Sequence, residues 1–121
     1  MRRLACLLLA ESALTKDLIT PVMLIQIELA IASTRGDRDS LDLLEIDAKR
    51  MALTAAEIDA AKRGASFDAI TNIAVKFALA DYADDAAEIT AAKKKLAAFG
   101  VAALAPRLHA FVQGLKLPTS I

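Results

Sequence analysis

The segment from residue 51 to residue 68 reads MALTAAEIDAAKRGASFD and contains a complete signal for a helix N-terminus. Thr54 is followed three residues later by Glu57, which is the spacing of a capping box. In that motif the two side chains satisfy backbone N–H groups that the first turn of a helix leaves without partners. The pattern therefore predicts that a helix begins at residue 55.

The same segment also ends that helix and begins another one. Lys62 and Arg63 fall in the predicted last turn, where the helix dipole favours cations. Gly64 supplies a residue that adopts left-handed backbone angles at little cost, and Ser66 or Asp68 can cap the helix that follows. Two helices joined by so short a turn favour an all-α architecture, a compact helical bundle.

Composition and charge limit the class of protein. The chain has 121 residues, of which 56% are hydrophobic, with only four Gly and three Pro, so we expect one ordered domain over residues 1–121. A formal net charge of zero offers no electrostatic footprint for nucleic acid. The same absence of net charge, with a mean hydropathy of +0.44, favours a homo-oligomer over a solitary monomer.

The N-terminal segment begins with Arg2 and Arg3 and continues with an apolar run, a pattern that a secretion signal and a buried first helix share. The run is short for a secretion signal, so we expect a helix over residues 4–13 and a cytoplasmic protein. Cys6 lies in this run and is the only cysteine, which excludes an internal disulfide and a four-cysteine metal site. We expect no membrane span, because no apolar stretch reaches the roughly 20 residues that one needs.

Periodicity and caps predict seven helices. They cover residues 4–13, 21–34, 39 or 40 to 51, 55–63, 67–82 and 84 or 85 to 99, and a last helix holds residues 101–115. In the second, apolar residues alternate from Ile25 to Ile31 as in a strand, but we predict a central helix because the chain offers no partner strand. We expect Phe99 to face the core, and Pro106 to lie in the first turn of the last helix.

Three runs of sequence resemble one known superfamily. They are LTAAEIDAAKRG at residues 53–64, the SFD that follows, and ITNIAVKFALA at residues 70–80. Together they resemble the carboxymuconolactone decarboxylase and alkyl hydroperoxidase D-like (AhpD-like) superfamily, and KKLAAFGVAAL at residues 94–104 resembles its turn between the last two helices. The resemblance implies a bundle of six or seven helices that assembles as a trimer or hexamer.

The redox motif of that superfamily is missing from this chain. Redox members open the corresponding third helix with Cys-x-x-Cys-x-x-x-His, in which one thiolate attacks and the other resolves the disulfide. Counted back without gaps from Ala52, which takes the superfamily's Gly position, the motif falls on Asp37, Ser40 and Leu44. None of these carries sulfur or imidazole, so in this register a dithiol peroxidase cycle is excluded, and Cys6 alone does not restore it.

Glu28 and His109 are candidate catalytic groups. The resemblance implies an upstream glutamate that shuttles protons, although Glu28 lies only nine residues before Asp37, closer than the superfamily pattern. Glu28 is therefore either a buried acid with a raised pKa or an exposed or interfacial residue. His109, the only histidine, lies beside the apolar stripe of the last helix, where solvation or a hydrogen bond to the backbone competes with a catalytic role.

Asp37 and Ser40 are the other candidate site residues, because they occupy the motif positions. Asp37, Asp39 and Asp42 could be grouped as metal ligands, but carboxylates near a helix start act more simply as caps and dipole partners. We therefore expect no metal and no cofactor. The three lysines at residues 93–95 are expected to form a solvated face.

Three functions remain open on the sequence. The first is an AhpD-like protein that has lost its redox cysteines and is not a peroxidase, with or without another activity. The second is a decarboxylase-like enzyme that transfers protons to a small lactone or keto acid through Glu28 or His109. The third is a helical protein-interaction module. A cleft that holds Glu28 with a cation or histidine from another helix favours the second function, and an all-aliphatic pocket disfavours it.

Overall fold

The structure, a computed structural model, describes residues 19–116, and within them the chain forms six α-helices. They are α1 (Pro21–Arg35), α2 (Arg38–Arg50), α3 (Ala55–Lys62), α4 (Ala69–Tyr82), α5 (Ala86–Ala98) and α6 (Leu104–Lys116). No strand occurs in this range, so the all-α prediction and the helix predicted at residues 21–34 are confirmed. The helix predicted at residues 4–13, with Cys6, lies outside the described residues.

A polar side chain caps each of the first five helices. The caps, each of which accepts a hydrogen bond from the backbone N–H three residues later, are Thr20, Asp37, Thr54, Asp68 and Asp85. The predicted capping box is complete, because the backbone N–H of Thr54 also donates to Glu57 Oε1 at 2.7 Å. Asp37 begins α2 earlier than predicted, and Asp68, rather than Ser66, caps α4.

Helix α1 lies at the centre of the bundle, as its nearly uniform apolar surface predicts. One face packs with α4, α5 and α6 around a larger core of sixteen buried residues, namely Met23, Ile27, Ala30, Ile31, Ile73, Ala74, Val75, Phe77, Ala78, Ala92, Leu96, Val101, Leu104, Ala105, Leu108 and Val112. The opposite face packs with α2 and α3 around a smaller core of eight, namely Ile25, Leu29, Ala32, Leu41, Ala48, Leu53, Ile58 and Ala61. One helix therefore serves two cores.

The turn between α5 and α6 contains one wrong prediction and one confirmed prediction. Phe99 was expected to face the core, but it is 51% exposed. Gly100, with φ 76°, turns the chain after α5, so that Val101 enters the larger core instead. Pro106 lies in the first turn of α6 as expected, where a missing N–H removes no helical hydrogen bond.

Within residues 19–116 few large apolar side chains are exposed, and two of them lie together. Leu43 and Ile46 are 65% and 48% exposed and stand three residues apart on α2, which places them side by side on one face. The other large apolar side chains that are exposed are Val22, Phe67 and Phe99. Within residues 19–116 the helices are all too short or too polar to cross a membrane.

Candidate functional site

An open cleft of about 860 Å³ lies where the two cores meet. It is lined by Glu28, Ala32, Arg35, Asp37, Ser40, Leu43, Leu44, Tyr82, Gly114, Leu115 and Lys116. Leu44 packs against the smaller core and Leu115 against the larger one, so both halves of the bundle form its walls. Three of the four site residues predicted from the sequence, Glu28, Asp37 and Ser40, therefore share one cleft.

Glu28 lies in the middle of α1 and is half-buried. Burial raises the pKa of its carboxyl above the ordinary value for glutamate, and the negative charge of Asp47 raises it further. Among residues 19–116 no ion pair forms with this carboxyl group. A carboxyl group in this setting keeps its proton at a higher pH than an exposed glutamate does, which suits a general acid.

Asp37 has the opposite electrostatic setting in the same cleft. Its Oδ2 accepts hydrogen bonds from Ser40 Oγ at 2.8 Å and from Arg35 Nη2 at 2.7 Å, while Oδ1 accepts from the backbone N–H of Ser40 at 3.1 Å. The bonds from Ser40 and Arg35 lower the pKa of the Asp37 carboxyl. Asp37 is therefore an ionised helix cap that anchors Arg35, and the hydroxyl proton of Ser40 is committed to it.

Two cations face the cleft from different helices. Arg35 of α1 uses one guanidinium N–H for Asp37, which raises its pKa, and keeps further donors for a ligand. Lys116 of α6 has its Nζ 3.4 Å from Asp84 Oδ2 and 5.8 Å from the centre of the Tyr82 ring. Sequence reasoning missed Lys116, because only the packing of α6 brings it to the cleft.

The acidic residues at the start of α2 do not converge. Within the described part of the chain, no three side chains of His, Cys, Asp or Glu lie close enough together to hold a metal ion. Asp39 and Asp42 are exposed on α2, while Asp37 turns inward to cap the helix. Asp37 caps α2, and Asp39 lies in its first turn, where the helix dipole favours an acidic side chain.

His109 lies outside the cleft, in a separate pocket of about 420 Å³ that residues of α4, α5 and α6 form. Its Nδ1 stands 2.9 Å and 3.1 Å from the two carboxylate oxygens of Asp81. The Asp81 side chain is 6% exposed and the His109 side chain 56%. Gln113 Nε2 donates to the same carboxylate at 3.5 Å. The His109 side chain is therefore largely solvated, as the non-catalytic interpretation expected, and it also contacts a buried acid, which that interpretation did not include.

Sequence reasoning missed Asp81, although a signal for it was present. Ile70, Ala74 and Phe77 form the apolar stripe of α4, and Asp81 occupies the next position of that stripe. A carboxylate on a buried stripe needs a partner, since an unpaired buried charge is costly. That partner, His109, lies 28 residues further along the chain, so the sequence marks the buried acid but not what it binds.

No protein-family model, curated protein or solved structure matches this chain. Membership of the AhpD-like superfamily therefore stays a prediction that rests on the residues quoted for it. The cleft and the pocket are the observations from which function is to be inferred.

Proposed function

We propose that this protein is a non-redox, AhpD-like enzyme that binds a small keto acid or lactone in the cleft and transfers a proton to it from Glu28. One observation carries the proposal: a half-buried glutamate with a raised pKa shares a cleft with the cations Arg35 and Lys116. The cation from α6 is the feature that distinguishes this cleft from an aliphatic groove. It favours the decarboxylase-like function over a purely structural one.

The positions of the charged groups suit a small acidic molecule. Arg35 follows Glu28 by seven residues on α1, which places both on one face, about 10 Å apart along the helix axis. A ligand with an acidic group at one end can therefore contact Arg35 while its other end reaches Glu28. Lys116 adds a second positive charge from α6.

Decarboxylation of a 3-oxo acid illustrates a separate role for Glu28 and for the two cations. The bond between the carboxylate carbon and the α-carbon breaks, CO₂ departs, and the electron pair remains on an enolate. Glu28 in its acid form donates its proton to the α-carbon and regains one from water. A cation lowers the barrier most when it contacts the enolate oxygen, where negative charge develops in the transition state. A cation paired with the departing carboxylate would stabilise the ground state instead. Arg35 and Lys116 therefore hold the enolate oxygen or a second acid group.

The non-redox part of the proposal rests on the cysteine count. Cys6 is the single cysteine, so no two thiols of one chain can form and resolve a disulfide. In the cleft, Asp37 and Ser40 stand where the resemblance implies the thiols, and both are engaged in the cap of α2. We expect no peroxide reduction with a dithiol donor, and turnover that survives Cys6→Ser would overturn this part.

The enzymatic part is tested with acetoacetate, oxaloacetate and a γ-lactone carboxylic acid, with EDTA present to suppress metal-catalysed decarboxylation. We expect Glu28→Gln to lower kcat/KM about 100-fold, since general acid–base groups contribute on that order. Glu88→Gln is the matched control, because Glu88 is exposed on α5, away from the cleft. No turnover of any probe by the wild type, or equal turnover by Glu28→Gln, contradicts the proposal.

A homo-oligomer, as a trimer or hexamer, belongs to the same proposal. Leu43 is exposed on α2 beside Ile46 and also lines the cleft, so a second copy seated there would wall it further. Light scattering should show a stable oligomer that dissociates when both residues are replaced by Glu. A monomeric wild type contradicts this assembly and favours the interaction module. We retain a cytoplasmic location and the absence of a nucleic-acid partner as further parts of the proposal.

A further inference from the structure

We propose that the His109 pocket is a second binding site, which takes a small carboxylic acid with an apolar tail. The acid group of the ligand lies against His109 and Lys93, and the tail lies on Phe77 and Ile89. The site is separate from the Glu28 cleft and does not depend on the function proposed for that cleft.

The walls of the pocket are apolar and fixed in place. Phe77 is 1% exposed and belongs to the larger core, so its ring cannot move without repacking that core. Ala105 and Pro106 form another wall from the first turn of α6, and the proline ring holds its own backbone angle. A volume of about 420 Å³ falls within the range of small-molecule sites. The pocket therefore offers a preformed apolar surface to a ligand tail.

The Asp81–His109 pair supplies the polar end of the site. Because Nδ1 faces the ionised carboxylate of Asp81, the proton of a neutral imidazole resides on Nδ1, and Nε2 is left for another partner. When a ligand carboxylate enters the pocket, Nε2 takes up a proton from solvent, which leaves an imidazolium with an N–H on each side. The Asp81 side chain, which is 6% exposed, stays within hydrogen-bond distance of Nδ1.

The charges that face His109 match a single carboxylate. The titratable groups at the pocket are Asp81 from α4, Lys93 from α5 and His109 itself from α6, while Gln113 is polar and neutral. Once the imidazole is protonated, these groups carry one net positive charge, which one ligand carboxylate neutralises. Lys93 is exposed, as are its two lysine neighbours and as the sequence predicts, and its side chain also lines this pocket.

Calorimetry with hexanoate and hexanamide tests the proposal on the full chain. The amide keeps the shape and the tail but carries no negative charge, so we expect it to bind about ten-fold more weakly. Titration at pH 8 in two buffers of different ionisation enthalpy should show net proton uptake with hexanoate and none with hexanamide. Equal affinity for both probes, the absence of proton uptake, or no binding of hexanoate at millimolar concentration contradicts the proposal.

Variants of the pocket locate the site. We expect His109→Gln to abolish the proton uptake and to weaken hexanoate about ten-fold, and Lys93→Met to weaken it about three-fold. Lys94→Met is the matched control, because Lys94 is exposed on the same helix and does not line the pocket. Equal losses in Lys93→Met and Lys94→Met would contradict a site in this pocket.

Discussion

The two cores that share α1 hold their helices in different ways. The larger core surrounds Phe77 with fully buried aliphatic side chains, among them Leu96 and Leu108. The smaller core has half as many buried residues and no aromatic side chain, and the ion pair of Lys62 with Glu45, at 2.7 Å, lies beside it between α3 and α2. The larger core therefore forms one wall of the His109 pocket, while the cleft lies where the two cores meet.

Phe77→Ala should show the largest effect, because the ring is central to the larger core and also walls the His109 pocket. We expect a loss of about 4 kcal/mol in the free energy of unfolding, measured by urea denaturation. Phe99→Ala is the matched control, since that ring is half exposed, and it should change stability by less than about 0.5 kcal/mol. Similar losses in the two variants would contradict the assignment of Phe77 to a close-packed core.

Asp81→Ala tests whether a polar group strengthens the larger core. The substitution leaves a small void and removes the carboxylate that binds His109 and Gln113, so we expect a loss of about 2 kcal/mol. Asp42→Ala, at an exposed position of α2, should be nearly neutral. If Asp81→Ala is instead more stable than the wild type, burial of the Asp81 carboxylate costs more free energy than its hydrogen bonds return. Polar contacts would then stabilise the smaller core but not the larger one.

The sequence predicts those parts of the structure that depend on interactions between residues close together along the chain. Thr54 and Glu57 are close along the chain, so their capping box follows from spacing alone, and Glu28 is conspicuous because it interrupts an apolar helix. The pairing of Asp81 with His109 depends on how α6 crosses α4, which no local pattern records. The sequence accordingly identifies three residues of the cleft but not the acid in the pocket.

Phe99 shows a different limit of sequence reasoning. Its position continues the stripe of α5, so helical periodicity placed it in the core. The helix ends one residue earlier, at Ala98, and Gly100 then turns the backbone. A periodic pattern therefore holds only as far as the helix itself does, and helix ends are the boundaries that sequence defines least well.

We expect Ala52→Gly, beside the smaller core, to raise the free energy of unfolding by about 0.5 kcal/mol, again measured by urea denaturation. Ala52 follows α2 with φ 70°, a left-handed angle that costs a residue with a Cβ about 1 kcal/mol. A glycine at this position would adopt the same angle without that cost. It loses more conformational entropy when the chain folds, however, which offsets part of the gain. Ala83→Gly is the control, since Ala83 ends α4 with φ −86° and should lose stability. A gain in both variants, or a loss at Ala52, would contradict this account.

The smallest expected effect is the pH dependence of stability, which should differ between the two acids of the cleft, Glu28 and Asp37. Because folding raises the pKa of Glu28, its ionised form costs stability; the cost is absent below the ordinary value of 4.5 and complete above the folded pKa. Folding lowers the pKa of Asp37, so its contribution is present above the ordinary value of 3.8 and lost as the pH falls through the folded pKa. At pH 7 Glu28→Gln should therefore be more stable than the wild type, and Asp37→Asn, which keeps the cap, less stable.

Urea denaturation of the two variants from pH 7 down to pH 3 measures these opposite trends. The advantage of Glu28→Gln should shrink as the pH falls, because the wild-type carboxyl becomes protonated and so loses its cost. Asp37→Asn should be less stable than the wild type at pH 7, and this difference should also shrink as the pH falls. It should do so at lower pH than for Glu28→Gln, because Ser40 and Arg35 keep the Asp37 carboxylate ionised. Deviations of the same sign in both variants would contradict the opposite electrostatic settings of Glu28 and Asp37 in the cleft.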